Sequence, residues 1–148
     1  DGGGRFLLRV EDIDGTRARP ELAKAFRADL AWLGFVYVET PAQSTRLASY
    51  AAAAERLRAE GLLYPCTCTR QDIAARALRM GAEGPIYPGT CRGREPAPGR
   101  PVVWRLDAAA ALARTGPLVW EDDRRGPQGV DLSGLGDVVL VRKDAPAS

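Results

Sequence analysis

The stretch Phe6-Leu7-Leu8-Arg9-Val10-Glu11-Asp12-Ile13-Asp14 sets the expected fold. Phe6 to Val10 is a near-continuous apolar run, the pattern of a strand buried on both faces of a parallel sheet. It breaks into an acidic turn that ends at Gly15. Pro20 then suits the first turn of a helix, where its missing N–H leaves nothing unsatisfied. Leu22, Ala25, Phe26, Leu30 and Leu33 follow at helical spacing, and Gly34 supplies a stop. A second helix is expected from about Thr45 to Glu60, limited by Ser44 and Gly61, with Leu47, Tyr50, Ala51, Ala54 and Leu57 as its apolar stripe. The result is a strand–helix–helix segment of an α/β layer, residues 1–62.

In open parallel sheets, ligands bind beyond the carboxyl ends of the strands. Glu11 stands at that end of the first strand. A carboxylate there can pair with the ammonium group of a small substrate, and it can equally be a structural acid. Asp12 and Asp14 are expected to cap the coming helix or to pair with Arg17 and Arg19.

The cysteines carry a second signal. Cys66-Thr67-Cys68 is answered by Cys91 in Tyr87-Pro88-Gly89-Thr90-Cys91, and the chain has no other cysteine. Two cysteines one residue apart are poorly placed for a relaxed disulfide. Three thiolates would offer zinc three of the four ligands it takes. The chain has no histidine, so the fourth would be an oxygen. Tyr87 stands in the same turn as Cys91, and water or an acid such as Glu83 is the alternative. The competing reading is three buried cysteines and a packed tyrosine.

Thr69-Arg70-Gln71-Asp72 opens, in the manner of a capping box, a short helix expected to end near Gly81. From Ala82 to Pro101, glycine and proline crowd into a loop-rich stretch that a metal would organise. Residues 102–106, 118–120 and 138–141 read as strands, with a charged turn at 121–126. Residues 63–135 are thus a smaller mixed insertion, and 136–148 a return strand.

Composition narrows the function. The chain has 148 residues, 45% hydrophobic and 27% charged, enough for one sizeable core. A net charge of +2 leaves no strong overall footprint for nucleic acid. Positive charge is almost all arginine, with Lys24 and Lys143 the exceptions. Without histidine, no Ser-His or Cys-His nucleophile can operate within the chain. No Walker-type loop occurs, and Gly2-Gly3-Gly4 precedes a strand, the wrong order for a dinucleotide fingerprint. No apolar run is long enough to span a bilayer, and no signal peptide is visible. Unpaired cysteines with metal-type spacing point to a reducing, cytoplasmic setting. The opening Asp1-Gly2-Gly3-Gly4, without Met, suggests an internal piece of a longer protein.

Taken in order, these segments resemble the class I glutamyl-tRNA synthetases. The run from Gly4 to Asp14 is similar to their strand followed by R-I-E-D-x-D. Asp29-Leu30-Ala31-Trp32-Leu33-Gly34 resembles the next helix end, and Gln43-Ser44-x-Arg46 with Tyr50 the following helix entry. Tyr64-Pro65-Cys66-Thr67-Cys68-Thr69-Arg70 and Tyr87-Pro88-Gly89-Thr90-Cys91-Arg92 resemble the zinc-binding insertion. Gly136-Asp137-Val138-Val139-Leu140-x-Arg142-Lys143-Asp144 resembles the strand that returns to the catalytic fold.

The resemblance implies a Rossmann-like catalytic domain with an inserted zinc-binding α+β subdomain. Larger members of the family tend to place a histidine shortly after the third cysteine, where this chain has Arg92-Gly93-Arg94. The short glutamyl-Q tRNA(Asp) synthetase branch uses three cysteines and a tyrosine, which Cys66, Cys68, Tyr87 and Cys91 match. That likeness implies ATP-dependent activation of glutamate and its transfer to the queuosine base in the anticodon region of tRNA(Asp). The enzyme is expected to be a monomer with one structural zinc, and Glu11 is expected to hold the α-amino group of glutamate. The alternatives are a glutamyl-tRNA synthetase piece charging tRNA(Glu), and a noncatalytic zinc module binding RNA or protein. The family's two ATP motifs are expected outside the chain, so the piece alone is expected to be inactive. Ala145-Pro146-Ala147-Ser148 departs from the family pattern, which continues with Gly and a substrate-binding Tyr. Arg70, Arg92 and Arg94 are candidate phosphate contacts.

Overall fold

A computed structural model describes residues 3–14, 17–81, 84–130 and 132–142. Glu83 and the departure from the family pattern after Asp144 lie outside them. The chain forms two compact units, one of residues 1–52 and one of residues 53–144.

The first unit is a β–α–β arrangement. Strand β1 (Leu7–Leu8) leads to helix α1 (Pro20–Trp32), which returns to strand β2 (Val38–Glu39), parallel to β1. Pro20 opens α1 as expected, and Gly34 adopts φ +76° just past its end. Arg27 on α1 clamps Glu39 on β2 with both Nε and Nη2, the shorter contact at 2.5 Å. Phe6 packs edge-on against Phe35 and Tyr37.

Burial is thinner than the apolar run suggested. Leu8 is buried, but Leu7 is 55% and Phe6 46% exposed. On α1 only Leu30 is buried, while Leu22 and Phe26 lie half open. Successive side chains of β1 point to opposite faces, and the burial of Leu8 beside an open Leu7 shows that only one of those faces is covered. Asp12 also departs from expectation. It accepts the Ser44 backbone N–H at 2.8 Å and its hydroxyl at 2.5 Å, holding the 3-10 turn Gln43–Arg46 and not the entry to α1. Asp14 does lie near Arg17, at 4.0 Å. Helix α2 (Leu47–Ala59) follows, where a helix was expected, and carries the chain into the second unit; none of its stripe is buried.

The second unit is built on a three-stranded antiparallel sheet. Its strands are β3 (Leu63–Cys66), β6 (Val103–Leu106) and β9 (Val139–Val141), with β6 in the centre. Pro65 is tolerated because β3 is an edge strand. The strand expected to lead out of the insertion thus shares a sheet with the strand that leads in. Helix α3 (Arg70–Arg76) starts on the expected box: Thr69 Oγ1 accepts the Asp72 N–H at 3.1 Å, and Asp72 accepts the Thr69 N–H at 2.9 Å.

α3 ends at Arg76, short of Gly81. Met80 and Gly81 form instead the small strand β4 (Met80–Gly81) against β5 (Gly84–Pro85). A Cβ on Gly81 would lie 2.5 Å from the Gly134 carbonyl, a backbone approach that only glycine permits. Helix α4 (Ala108–Thr115) occupies a stretch where the sequence reading placed no element. Its alanines give high helix propensity but no clear apolar stripe. The available signals were Asp107, whose side chain caps the Ala110 N–H at 3.0 Å, and Gly116 beyond the end at φ +71°. Strands β7 (Val119–Asp122) and β8 (Gly126–Gly129) make a hairpin, so Glu121 and Asp122 belong to a strand and the turn itself is shorter than expected.

One buried acid ties the unit together. Asp137 is 4% exposed, just before β9. Its Oδ2 accepts from the Tyr64 hydroxyl on β3 and from Arg92 Nη2 in the loop that follows Cys91. Its Oδ1 accepts the first N–H of α4, from Ala108, at 3.1 Å. Its carbonyl accepts from Arg105 Nη1 on β6 at 2.7 Å. Asp137→Ala should therefore destabilise this unit by about 3 kcal/mol, since it leaves the buried Tyr64 hydroxyl and the first N–H of α4 without their acceptor. Urea unfolding followed by Trp104 fluorescence measures this, and Arg92→Ala should cost less because Arg92 is 44% exposed and partly screened by solvent.

Candidate metal centre and amino-acid cleft

The second unit brings the three cysteines together. Cys66 ends β3 and is 1% exposed, while Cys68 lies two residues on, before the cap of α3. Tyr87 and Cys91 arrive from the Pro88-Gly89 turn, where Gly89 takes φ +75° and accepts the Arg92 N–H on its carbonyl at 3.0 Å. The three sulfurs lie within 4.8 Å of one another and none is in a disulfide. Cys68 and Cys91 Sγ are 3.5 Å apart. Tyr87 Oη lies 3.4 Å from Cys66 Sγ and 3.9 Å from Cys68 Sγ, and accepts the Cys91 N–H at 2.8 Å.

The donor set fits zinc. A tetrahedral ion with Zn–S about 2.3 Å and Zn–O about 2.0 Å requires sulfurs about 3.8 Å apart and sulfur–oxygen separations of about 3.5 Å. The Cys68–Cys91 sulfur pair, at 3.5 Å, and the Tyr87 oxygen, at 3.4 and 3.9 Å from the Cys66 and Cys68 sulfurs, already stand close to that spacing. Arg105 lies over the Tyr87 ring, its guanidinium carbon 3.9 Å from the centroid, a cation–π contact that fixes the ring. Without an ion the charged forms compete. Burial raises the Cys68 thiol to about 11, aided by its hydrogen bond with Cys91. Burial also pushes Cys91 up, but hydrogen bonds from Tyr87, the Thr67 backbone and the other two thiols outweigh it and bring Cys91 down to about 7. Tyr87 is pushed up, first by burial and then by its bonds to Cys66 and Cys91. A bound dication reverses that logic, stabilising every anionic ligand.

The first unit contains the other predicted residue. Glu11 lines an open cleft of 700 Å³ with Arg9, Arg17, Arg19, Phe26 and Arg27 around it. Its side chain is 57% exposed and accepts from Arg9 Nε at 2.8 Å and Gln43 Nε2 at 3.2 Å, both on Oε1.

Arg92 is exposed, but its guanidinium is already engaged by Asp137 and by Asp107, 3.2 Å from Nε. Arg70 and Arg94 remain exposed. Arg105, Asp137, Gln43 and Tyr50 were not singled out as site residues. Arg105 sits in a strand and Asp137 at the start of one, where a charged residue among apolar neighbours was the available sign.

Comparison with known proteins matches this architecture. The family model of class I tRNA synthetases (E and Q), catalytic domain, covers residues 1–92. Glutamate–tRNA ligase 2 of Methylobacterium sp. strain 4-46 is 44% identical over 96% of this chain and 33% of its own length. Glutamyl-Q tRNA(Asp) synthetase of Burkholderia mallei is 43% identical over 96% of this chain and 48% of its own length. A glutamate tRNA ligase from Elizabethkingia meningosepticum, solved in complex with its amino acid, shares the fold at a TM-score of 0.66 and 23% identity, over 99% of this chain and 33% of that one. The chain thus spans no more than half the length of these relatives. With its mixed α/β units and its match across residues 1–92, the chain belongs to the class I tRNA synthetases (E and Q) and carries part of their catalytic domain.

Proposed function

We propose that this chain is part of a ligase of the glutamyl-Q tRNA(Asp) synthetase type, which activates glutamate with ATP and transfers it to the queuosine base of tRNA(Asp). The observation that carries this reading is the Tyr87 hydroxyl standing 3.4 Å from the Cys66 sulfur, within a cysteine cluster that has no histidine to draw on. The Burkholderia mallei relative of that name supports it. Cys66, Cys68, Tyr87 and Cys91 hold a structural zinc ion; four protein ligands leave no open position for water, so the ion fastens the fold. Glu11 binds the ammonium of glutamate from the cleft. Activation then proceeds by positioning and electrostatic stabilisation, without a covalent enzyme intermediate. Glutamate, ATP and the anticodon region of tRNA(Asp) are the partners of the whole protein, which acts as a monomer in the cytoplasm. Among the described residues, no helix is long and apolar enough to cross a membrane.

A second reading, charging of tRNA(Glu), is favoured by the glutamate–tRNA ligase name of the Methylobacterium relative. The noncatalytic module has no observation in its favour beyond the cysteine cluster that the other readings share.

Purified protein should carry about one zinc per chain. Cys66→Ser with Cys91→Ser should abolish metal content by elemental analysis, and full occupancy would remove the site. Tyr87→Phe should weaken zinc binding by about tenfold or more, as groups that merely orient a ligand are already worth about 10–100-fold; unchanged affinity would return the fourth position to water or an acid. For the activity, the complete protein should load glutamate onto tRNA(Asp) that contains queuosine and not onto tRNA that lacks it. Transfer to the 3′ end of tRNA(Glu) would establish the second reading.

A further inference from the structure

The segment that follows β2 grips the end of β1 at three successive residues. The Gln43 N–H donates to the Val10 carbonyl at 3.1 Å, its Nε2 donates to Glu11 Oε1 at 3.2 Å, and Ser44 donates twice to Asp12. Gln43 is itself buried, 9% exposed, and its Oε1 accepts the Tyr50 hydroxyl. The amide therefore has a fixed sense. With its oxygen engaged by the phenol, its NH2 faces the carboxylate, whereas the flipped amide would set oxygen against oxygen.

This arrangement shapes what Glu11 offers. Arg9 and Gln43 both donate to Oε1. Arg9 is only two residues away and half exposed, so its bond alone is a weak restraint. Gln43 is 32 residues away and fixed by backbone and side chain together. With Oε1 saturated on one side, Oε2 is the oxygen open to a new donor, and the side chain borders the cleft.

We infer that Gln43, braced by Tyr50, is a positioning residue that holds the Glu11 carboxylate by one oxygen and presents the other to the ammonium group of the amino-acid substrate. This rests on the reading of Glu11 as the ammonium partner. Gln43 does not touch the substrate. It keeps Glu11 in one rotamer, so that binding does not have to order a mobile surface acid.

The test is glutamate-dependent ATP–pyrophosphate exchange by the complete protein. Gln43→Met keeps the volume and removes the donor; it should raise KM for glutamate about tenfold, the worth of one hydrogen bond to a charged group. KM for ATP, kcat and the thermal midpoint should not move. Tyr50→Phe removes a single oxygen and frees the amide to flip, so it should raise KM for glutamate by a smaller factor, about threefold. Glu11→Gln should raise it more than either. If Glu11→Gln raises KM and Gln43→Met leaves it unchanged, the inference is overturned and the Glu11 reading stands. If Glu11→Gln has no effect, both fall. Should Gln43→Met lower the thermal midpoint, Tyr50→Phe decides, and an unchanged KM for glutamate there overturns the inference.

Discussion

The pairing of Asp137 with Arg92 and Tyr64 is the constraint on which the second unit depends. A carboxyl group that is almost wholly buried is tolerated only if its oxygens are satisfied. Here one oxygen takes a phenol and a guanidinium, and the other takes the start of α4. Those donors belong to β3, the loop after Cys91, and α4, so one side chain sets three separate segments against each other. Glycine enters for the same reason. Gly136, next to Asp137, has φ +64°, and a Cβ there would stand 2.7 Å from Ile86 Cγ2 beside Tyr87.

The cysteine cluster is built on this frame. Arg92 follows Cys91 directly, so anchoring its guanidinium on Asp137 also places the Cys91 turn. Arg105 joins the same acid through its carbonyl and lies over the Tyr87 ring. The groups that position the cluster thus include a carboxylate and an arginine remote from the cysteines in sequence, Asp137 and Arg105. The first unit repeats the principle on a smaller scale. The turn after β2 grips residues 10–12 through Gln43 and Ser44, which leaves an exposed acid in a defined position at a strand end.

Several elements were legible because their signals are local. Pro20 and Gly34 bracket α1, and Thr69 with Asp72 marks the start of α3. The spacing of Cys66, Cys68 and Cys91 marked three thiols as a group, and the fold brings them within 4.8 Å of one another. Misread elements lacked such signals or were overridden. The apolar run at β1 suggests burial on both faces, yet only the face that carries Leu8 is buried. Helix α3 stops at Arg76, where Ala77 turns extended, and Gly81 lies instead in a close backbone approach to Gly134 that no local pattern records. Helix α4 is alanine-rich, and its cap is shared between Asp107, which is adjacent in sequence, and Asp137, which is not.

The chain's own order of residues determined the types of chemistry on offer: three thiols, a phenol in their turn, an acid at a strand end, and no imidazole. Those follow from composition and short-range spacing, which need no fold. Tertiary structure decided which of these groups meet and what each arginine does. Arg92 looked free to contact phosphate, and a carboxylate 45 residues later takes it. Glu11 looked like a strand-end acid of open role, and an amide 32 residues later donates to it. Burial and long-range hydrogen bonding set such roles, because a charged group inside a protein goes wherever its partner is, and the partner's distance along the chain carries no local signal.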